Sequence, residues 1–216
     1  MCNLYAMTKP QKAVRDLFDV SHNRAADIQP QASIFPGEDA PVIRHAADGE
    51  RELVMMSWGF VLPQRDKAPK RVTNVRDDKI LSSSFWRPSF EERRCLVPVT
   101  SFCEPKGRAP AVWHWFALTG DEQRPLFAFA GIWRRYKGPI KKDGESVEID
   151  TYSFLTTSPN DLVATVHPSR MPVILATTDD QDAWLSGGDT AIALARRYPA
   201  DAMRIVRKGP DKADPS

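Results

Sequence analysis

The sequence predicts a single α+β domain in which a curled, largely antiparallel β-sheet or barrel core is flanked by short helices. From Cys95 onward, short segments rich in aromatic and β-branched residues follow one another, separated by Gly, Pro or charged turns. Helical patterns occur near both ends, without the regular strand–helix alternation of a doubly wound sheet. Because no linker interrupts the 216 residues, we expect one domain over residues 1–209 and a disordered tail over 210–216.

The N-terminal half predicts one helix and a buried strand. The stretch "MTKPQKAVRDLFDV" has apolar residues at helical spacing, Thr8 and Gln11 at capping-box spacing, and Pro10 in the first turn. The apolar segment "LVMMSWGFVLP" predicts a strand that ends at a proline. The polar residues 64–94 predict a loop with a short helix around 77–83.

The C-terminal half predicts strands first and short helices afterwards. Four successive strands are predicted in "CLVPVTSFCEP", "AVWHWFALTG", "PLFAFAGIWRRY" and "DTYSFLTTSP". A compact helix follows in "SPNDLVATVHP", with Ser158 as its cap and Pro159 at the first helical position. Further segments predict a strand in "MPVILAT", helices in "TDDQDAWLSGG" and "DTAIALARRYP", and a last strand in "AMRIVRKG".

The composition excludes several classes of protein. The odd number of three cysteines, without a CxxC pair or an export signal, predicts reduced thiols and neither a disulfide framework nor a metal site. No apolar run approaches the ~20 residues of a membrane span. We therefore expect a cytoplasmic protein, and we also expect it to be a monomer. The net charge is only +2, so a nucleic acid would have to be held by a local patch, such as the basic run over residues 65–76.

Cys2 combines two nucleophiles if Met1 is removed. Its ordinary interpretation is a small residue near a terminus. However, an α-amine has a pKa of about 7.7–8.0, so part of it is neutral near pH 7 and forms imines with aldehydes. The neighbouring thiol then adds to the imine and closes a five-membered thiazolidine. This trap is specific for aldehydes and needs no cofactor.

Other candidate residues are ambiguous one by one. Asn74 and Arg76 lie two apart, so an extended segment points both to one face, where they could hold a phosphate, but a solvated loop explains them equally. Glu104 ends an apolar strand and is either an edge charge or a general acid/base. His167 either transfers protons or bonds a free carbonyl at a helix end. Arg170 directly precedes a core strand, and an arginine in that position often has a fixed interaction partner within the protein.

The order of these elements is more specific. The Cys2 start, "FPG", "SWGF", "TNVRDD", "PVTSFCEPKG", "FAFAGIW" and "VHPSRMPVIL" together resemble the SOS response-associated peptidase (SRAP) family from Cys2 to about Leu185. The resemblance implies a sensor of abasic sites in single-stranded DNA that cross-links to the lesion as a thiazolidine and shields it. It also implies self-removal of Met1, a lyase-like reaction on the sugar, and association with the nucleoid when bound to DNA.

The resemblance implies a role for each matching residue. Cys2 would be the nucleophile, Asn74 would orient it, Glu104 would shuttle protons, and His167 would assist sugar opening and cross-link reversal. The remaining matches, together with one arginine of the basic run, would contact DNA or shape its cleft: Arg76, Pro36, Trp58, Arg170 and Arg71.

The chain also departs from the commonest pattern of the family. Leu4 stands where an arginine is frequent, Pro105 replaces an aromatic residue, and the His-to-Arg spacing is one residue longer. Two other functions remain open. One is a thiol autopeptidase or N-terminal nucleophile amidohydrolase that uses Cys2 with His167 and either Asn74 or Glu104. The other is a non-covalent single-stranded-DNA-binding module, whose binding would not depend on Cys2.

Overall fold

The computed structural model describes residues 2–108, 110–122 and 124–215, with only the backbone at residue 189. Strands dominate, and short helices lie between them. The strands of the described residues are β1 (Tyr5–Met7), β2 (His22–Asn23), β3 (Gln31–Ile34), β4 (Asp39–His45), β5 (Arg51–Trp58), β6 (Phe60–Leu62), β7 (Lys70–Val72), β8 (Asn74–Arg76), β9 (Arg94–Val99), β10 (Ser101–Lys106), β11 (Val112–Leu118), β12 (Phe127–Pro139), β13 (Ser146–Thr157), β14 (Met171–Pro172), β15 (Ile174–Leu175) and β16 (Met203–Gly209). The helices are α1 (Gln11–Leu17), α2 (Arg87–Glu92), α3 (Asp161–Ala164), α4 (Thr178–Ser186) and a 3-10 helix at Asp189–Leu194.

Two main sheets make up the domain. The smaller sheet has the strand order β16-β11-β10-β1-β3, and the larger has the order β14-β13-β12-β9-β4-β5-β2, with β15 beside β12 and β8 beside β13. The strands β6 and β7 form a separate hairpin. Pairings are antiparallel except for β2 with β5, β5 with β13 and β8 with β13. The predicted α+β class and the largely antiparallel core are confirmed.

One predicted strand turns out to link the two sheets. The segment "CLVPVTSFCEP" is divided at Thr100, so that β9 belongs to the larger sheet and β10 to the smaller. Both the Thr100 amide and its hydroxyl donate to the carbonyl of Ala6, at 2.9 and 3.1 Å. This crossing fastens the start of β10 to β1 and thereby brings Glu104 close to the N-terminal segment.

A glycine divides a second predicted strand. Gly59 has φ +101°, a conformation that a β-carbon makes costly, and it separates β5 from β6. Its amide donates to the carbonyl of Tyr152 at 2.7 Å. The turn directs the chain out of the larger sheet and into the β6–β7 hairpin, which leads to β8.

Aromatic side chains fill the core between the sheets. Trp58 meets Tyr5 edge-on, with ring centroids 5.1 Å apart, and stacks on Phe154 at 5.4 Å. The hydroxyls of Tyr5 and Tyr152 share a hydrogen bond of 2.5 Å, so both buried polar tips are satisfied. All four side chains have no exposed surface, and their packing joins β1 of the smaller sheet to β5 and β13 of the larger.

The side-chain caps predicted at the starts of two helices are not formed. Pro10 precedes α1 without a side-chain cap, since the Thr8 hydroxyl lies 3.1 Å from that of Thr100 instead. Helix α3 is capped by Asn160, whose side-chain oxygen accepts from the Val163 amide at 2.9 Å, and not by Ser158.

The region 64–94 is more ordered than predicted. It contains β7, β8 and α2, whereas residues 77–83 form turns and not the expected helix. Strand β8 is stabilised by parallel pairing with β13, a long-range contact that local composition does not reveal. Helix α2 begins close to Trp86, which is largely buried against Phe60.

The C-terminal segment is tied to the smaller sheet. Asp214 is fully buried and forms an ion pair with Arg124 at 2.7 Å, while the Ser101 hydroxyl donates to it at 2.6 Å. The Asp214 amide also donates to Ala32 of β3 at 2.8 Å. These contacts anchor Asp214, within the segment 210–216, to the smaller sheet, and residue 216 lies outside the described residues. No helix in the described ranges has the length and apolar character that crossing a membrane requires.

Candidate functional site

A cleft of about 580 Å³ opens beside the N-terminal segment. It is bounded by that segment, the turn after β3, the strands β7 and β8, the β10–β11 pair and the C-terminal segment. Its lining includes Asn3, Pro36, Arg71, Asn74, Trp113 and Lys212.

Cys2 lies buried beside this cleft. The Cys103 amide donates to the Leu4 carbonyl at 2.9 Å, and Tyr5 is in register with Phe102, so the N-terminal segment runs alongside β10. The Cys2 thiol is 1% exposed and donates to the Leu4 carbonyl at 3.5 Å. Burial, reinforced by the nearby Glu104 carboxylate, raises the pKa of the thiol well above its ordinary value. The thiol is therefore a protonated group at neutral pH.

Glu104 is the most unusual carboxylate of the site. It lies on β10, two residues after Phe102, so strand alternation directs it to the same buried face of the sheet. It is 1% exposed, and neither of its carboxylate oxygens has a hydrogen-bond partner among the described residues. Burial raises the pKa of Glu104 to about 7. A carboxyl group with this pKa exchanges protons readily under neutral conditions.

Asn74 presents an unused donor at the same place. Parallel pairing of β8 with β13 sets Asn74 in register with Phe154. The Thr73 hydroxyl lies 2.8 Å from the side-chain oxygen of Asn3 and 3.4 Å from that of Asn74, so it ties the start of β8 to the residue after Cys2. The Nδ2 atom of Asn74 is buried and, within the described ranges, has no acceptor.

His167 and Arg170 lie at the edge formed by β8 and β13. His167 is half-buried, its Nδ1 atom is 3.1 Å from the Arg170 carbonyl, and burial lowers its pKa. The Arg170 guanidinium donates to Asp77 at 2.5 Å and to the Thr156 carbonyl. Arg170 therefore has the fixed partner that its position predicted, and it connects the His167 loop to the residue after Arg76.

The predicted DNA-contacting residues differ in accessibility. Arg76 is exposed and donates twice to Asp78, at 2.8 and 2.6 Å, which raises its pKa. Pro36 lines the cleft. Arg71 also lines it, but its guanidinium is partly buried and donates to the Gly59 carbonyl at 2.9 Å, and burial lowers its pKa.

Trp58 supports the cleft from within the core. It has no exposed surface and does not itself line the cleft. Its indole donates to the Thr73 carbonyl at 3.1 Å, and through Thr73 it supports both Asn3 and Asn74. Its contribution to the cleft is therefore indirect.

Sequence reasoning missed two residues of the cleft. Trp113 faces Pro105 in the β10–β11 register, is half-buried and lines the cleft. The Lys212 ammonium lies 4.8 Å from the Trp113 ring centroid, which is a favourable cation–π distance. The alternation of Trp113 with Trp115 indicated a shared face, but Lys212 fell in the segment predicted to be disordered.

The order of strands and the cleft agree with a known family. The family model described as SOS response associated peptidase (SRAP) matches residues 1–208. The chain belongs to this family. It is 27% identical over 192 residues to the "Abasic site processing protein YoqW" of Bacillus subtilis, covering 84% of this chain and 80% of the relative. The "Abasic site processing protein YoaM" of the same organism is 26% identical over 223 residues, covering 96% and 90%.

Solved structures show the same fold. A crystal structure of a protein from Bordetella bronchiseptica superimposes with a TM-score of 0.75 at 27% identity, covering 94% of this chain and 97% of that one. A protein from Bacteroides thetaiotaomicron gives a TM-score of 0.73 at 23% identity, covering 94% and 90%. The SRAP fold thus accommodates wide sequence divergence.

Proposed function

We propose that this SRAP protein recognises abasic sites in single-stranded DNA and cross-links to them through Cys2 once Met1 has been removed. The observation that carries the proposal is the buried Glu104 carboxylate, which has no partner among the described residues and lies on β10, the strand alongside which the N-terminal segment with Cys2 runs. The names of the relatives, which concern abasic site processing, support the same lesion as the substrate.

The reaction balances without a cofactor. The ring-opened sugar of an abasic site carries an aldehyde. The freed Cys2 amine adds to this aldehyde, and loss of one water gives an imine. The thiol sulfur then adds to the imine carbon while its proton moves to the nitrogen, which closes the thiazolidine. Two steps need proton transfer: departure of the hydroxyl as water and loss of the thiol proton.

Glu104 is suited to both proton transfers. With a pKa of about 7, it donates a proton to the departing hydroxyl and accepts one from the thiol within a single turnover. The thiol needs such a base because burial raises its pKa. The unpartnered Nδ2 of Asn74 is a donor for the sugar oxygens. His167, whose pKa burial lowers, is neutral near pH 7 and accepts a proton as the sugar ring opens.

The surroundings of the cleft suit a strand that lacks one base. Leu4 and Pro36 offer apolar surface to the sugar, and Lys70 and Lys212 line the same cleft with positive charge. Arg76 lies exposed at the end of β8 and is placed to contact a backbone phosphate. Arg71, whose guanidinium donates to the Gly59 carbonyl, shapes one wall of the cleft, and Arg170, which donates to Asp77, braces the His167 loop.

A thiol peptidase is less well supported. Such enzymes lower the pKa of the attacking cysteine so that a thiolate is present, whereas burial raises that of Cys2. The amine-led trap requires no thiolate in its first step. Removal of Met1, which lies outside the described residues, is a precondition of the proposal.

The test is a denaturing gel with single-stranded DNA that contains one abasic site. Wild-type protein should give a slow-migrating species that survives denaturation, and intact mass should show that Met1 is absent. Cys2→Ser keeps the amine and removes the thiol, so it should yield an adduct only after borohydride reduction of the imine. Cys103→Ala is the matched control, because Cys103 lines the same cleft but carries no free amine.

Two results would overturn the proposal. One is the absence of a covalent species with wild-type protein that has lost Met1. The other is an unchanged adduct in Cys2→Ala, which would assign the reaction to another nucleophile. Turnover of a peptide or amide substrate without any DNA adduct would instead favour the hydrolase interpretation.

A further inference from the structure

A second cleft of about 550 Å³ lies between α2 and the strands β4 and β12. Arginine side chains dominate its lining: Arg44, Arg93, Arg134 and Arg135. The hydroxyl-bearing residues Ser84 and Ser89 and the aromatic residues Phe85 and Trp133 complete it. None of these residues lines the Cys2 cleft.

Carboxylates occupy three of the four guanidinium groups. Arg44 pairs with Glu52 at 2.7 Å, and Arg135 pairs with Asp150 at 2.9 Å. Arg93 pairs at 2.6 Å with the exposed glutamate that directly precedes it in the chain. These ion pairs hold the rim of the cleft and fix the directions of its side chains.

Arg134 has no carboxylate partner among the described residues. Its guanidinium lies 5.1 Å from the Phe85 ring centroid and 5.6 Å from that of Phe60, so aromatic faces hold it partly out of water. Burial and the nearby Arg93 guanidinium lower its pKa. A half-buried cation beside a second cation is costly unless an anion approaches it. Guanidinium groups and serine hydroxyls are the donors that phosphate prefers.

The β6–β7 hairpin adjoins both clefts. Lys70, Arg71 and Val72 of β7 line the Cys2 cleft. On the paired strand, the Phe60 ring contacts Arg134 of the second cleft. The hairpin therefore connects a wall of the Cys2 cleft to the aromatic side chains that hold Arg134.

We propose that the cleft around Arg134 binds a backbone phosphate of the same DNA strand whose abasic site occupies the Cys2 cleft. This inference rests on the proposed function for the identity of the strand, but it concerns affinity and not the covalent step. Arg134 and Arg93 would grip the phosphate, and Phe85 would give an apolar edge to the neighbouring sugar or base.

The test measures non-covalent binding of intact single-stranded DNA by fluorescence anisotropy. The oligonucleotides range from about 5 to about 20 nucleotides, which brackets typical single-strand site sizes. We compare wild type with Arg134→Gln and with Arg196→Gln. Arg196 is a matched control because it is exposed, pairs with Asp180 and lines neither cleft. Urea unfolding checks that each variant is folded.

On the long oligonucleotide, Arg134→Gln should raise Kd about five- to tenfold and reduce the slope of log K against log salt by about 0.7, the value for one phosphate on a single strand. The shortest oligonucleotide and Arg196→Gln should show no change. An equal loss of affinity at all oligonucleotide lengths, or no loss at any length, would overturn the proposal. So would binding of inorganic phosphate that Arg134→Gln abolishes without changing DNA affinity, because the cleft would then take a free anion.

Cross-linking separates this inference from the proposed function. At saturating abasic DNA, Arg134→Gln should reach the wild-type yield of adduct. If wild-type protein forms no adduct but Arg134→Gln still weakens binding of long DNA, the proposed cross-linking reaction is refuted and phosphate binding at the second cleft is supported. If the adduct forms but Arg134→Gln causes no length-dependent loss of affinity, phosphate binding at the second cleft is refuted and the cross-linking reaction is supported.

Discussion

Replacing Glu104 by glutamine should stabilise the protein at alkaline pH. In the folded chain, burial raises the pKa of this carboxyl group from its ordinary value of 4.5 to about 7. Each unit by which the pKa is raised corresponds to about 1.4 kcal/mol of free energy. Ionisation of Glu104 therefore destabilises the folded state by about 3 kcal/mol. Glutamine has the shape of the protonated acid and does not ionise, so it avoids this cost.

The sign of the pH dependence follows from proton binding. Between pH 4.5 and 7 the folded state binds more protons at Glu104 than the unfolded state does, so the free energy of unfolding falls as pH rises. The glutamine variant lacks this contribution. The difference between Glu104→Gln and wild type should therefore be small at pH 4, grow through neutrality and level off at about 3 kcal/mol above pH 8.

Urea unfolding followed by tryptophan fluorescence, with reductant present, measures this difference at pH 4, 6 and 8.5. Glu145→Gln is the control, because Glu145 is exposed and its replacement should change little at any pH. A glutamine variant that is equally or less stable than wild type at pH 8.5 would refute the idea that Glu104 is ionised at a cost there. The same variant should cross-link slowly, since it cannot shuttle protons.

Three further substitutions test individual contacts of the fold. Asp214→Ala removes the carboxylate that pairs with the buried Arg124 guanidinium and should lower the free energy of unfolding by about 3–5 kcal/mol; an effect below 1 kcal/mol would mean that the C-terminal segment is not anchored. Asn160→Ala removes the cap of α3 and should cost about 1–2 kcal/mol in urea unfolding, whereas Ser158→Ala, which removes no cap, should be neutral. Gly131→Ala would place a β-carbon 2.7 Å from the Cys95 sulfur on the paired strand. The resulting overpacking should lower the free energy of unfolding by about 1–3 kcal/mol, and with it Tm. An unchanged Tm would contradict the close contact between these two residues.

The central strands could be predicted because their signals are local. Aromatic and β-branched runs marked β11, β12 and β13, and the glycines after α4 marked its end, with Gly187 at φ +78°. The division of strands at Gly59 and Thr100 was missed, since each depends on which sheet the chain joins next. Strand β8 was missed for the same reason, because its pairing partner β13 lies some 80 residues later in the chain.

The candidate site was predictable as a set of residue types but not as an arrangement. Sequence order singled out Cys2, Asn74 and Glu104. It did not reveal that Glu104 is buried without a partner in the described chain, since an edge carboxylate is usually solvated. The sequence also did not reveal that Trp58 lies in the core, because the residue pattern of a strand does not distinguish a buried face from a ligand-facing one. Lys212 was missed because a short polar C-terminal segment carries no local signal of its long-range anchor.

Peptide mapping of the adduct shows which residue of the protein carries the sugar. Wild-type protein is incubated with abasic single-stranded DNA, the DNA and protein are digested, and the N-terminal peptide is identified by tandem mass spectrometry. We predict a peptide that begins at Cys2, lacks Met1 and carries the sugar aldehyde minus one water, with neither a free amine nor a free thiol on Cys2. A sugar attached to a lysine, or to Cys2 in a peptide that retains Met1, would contradict it.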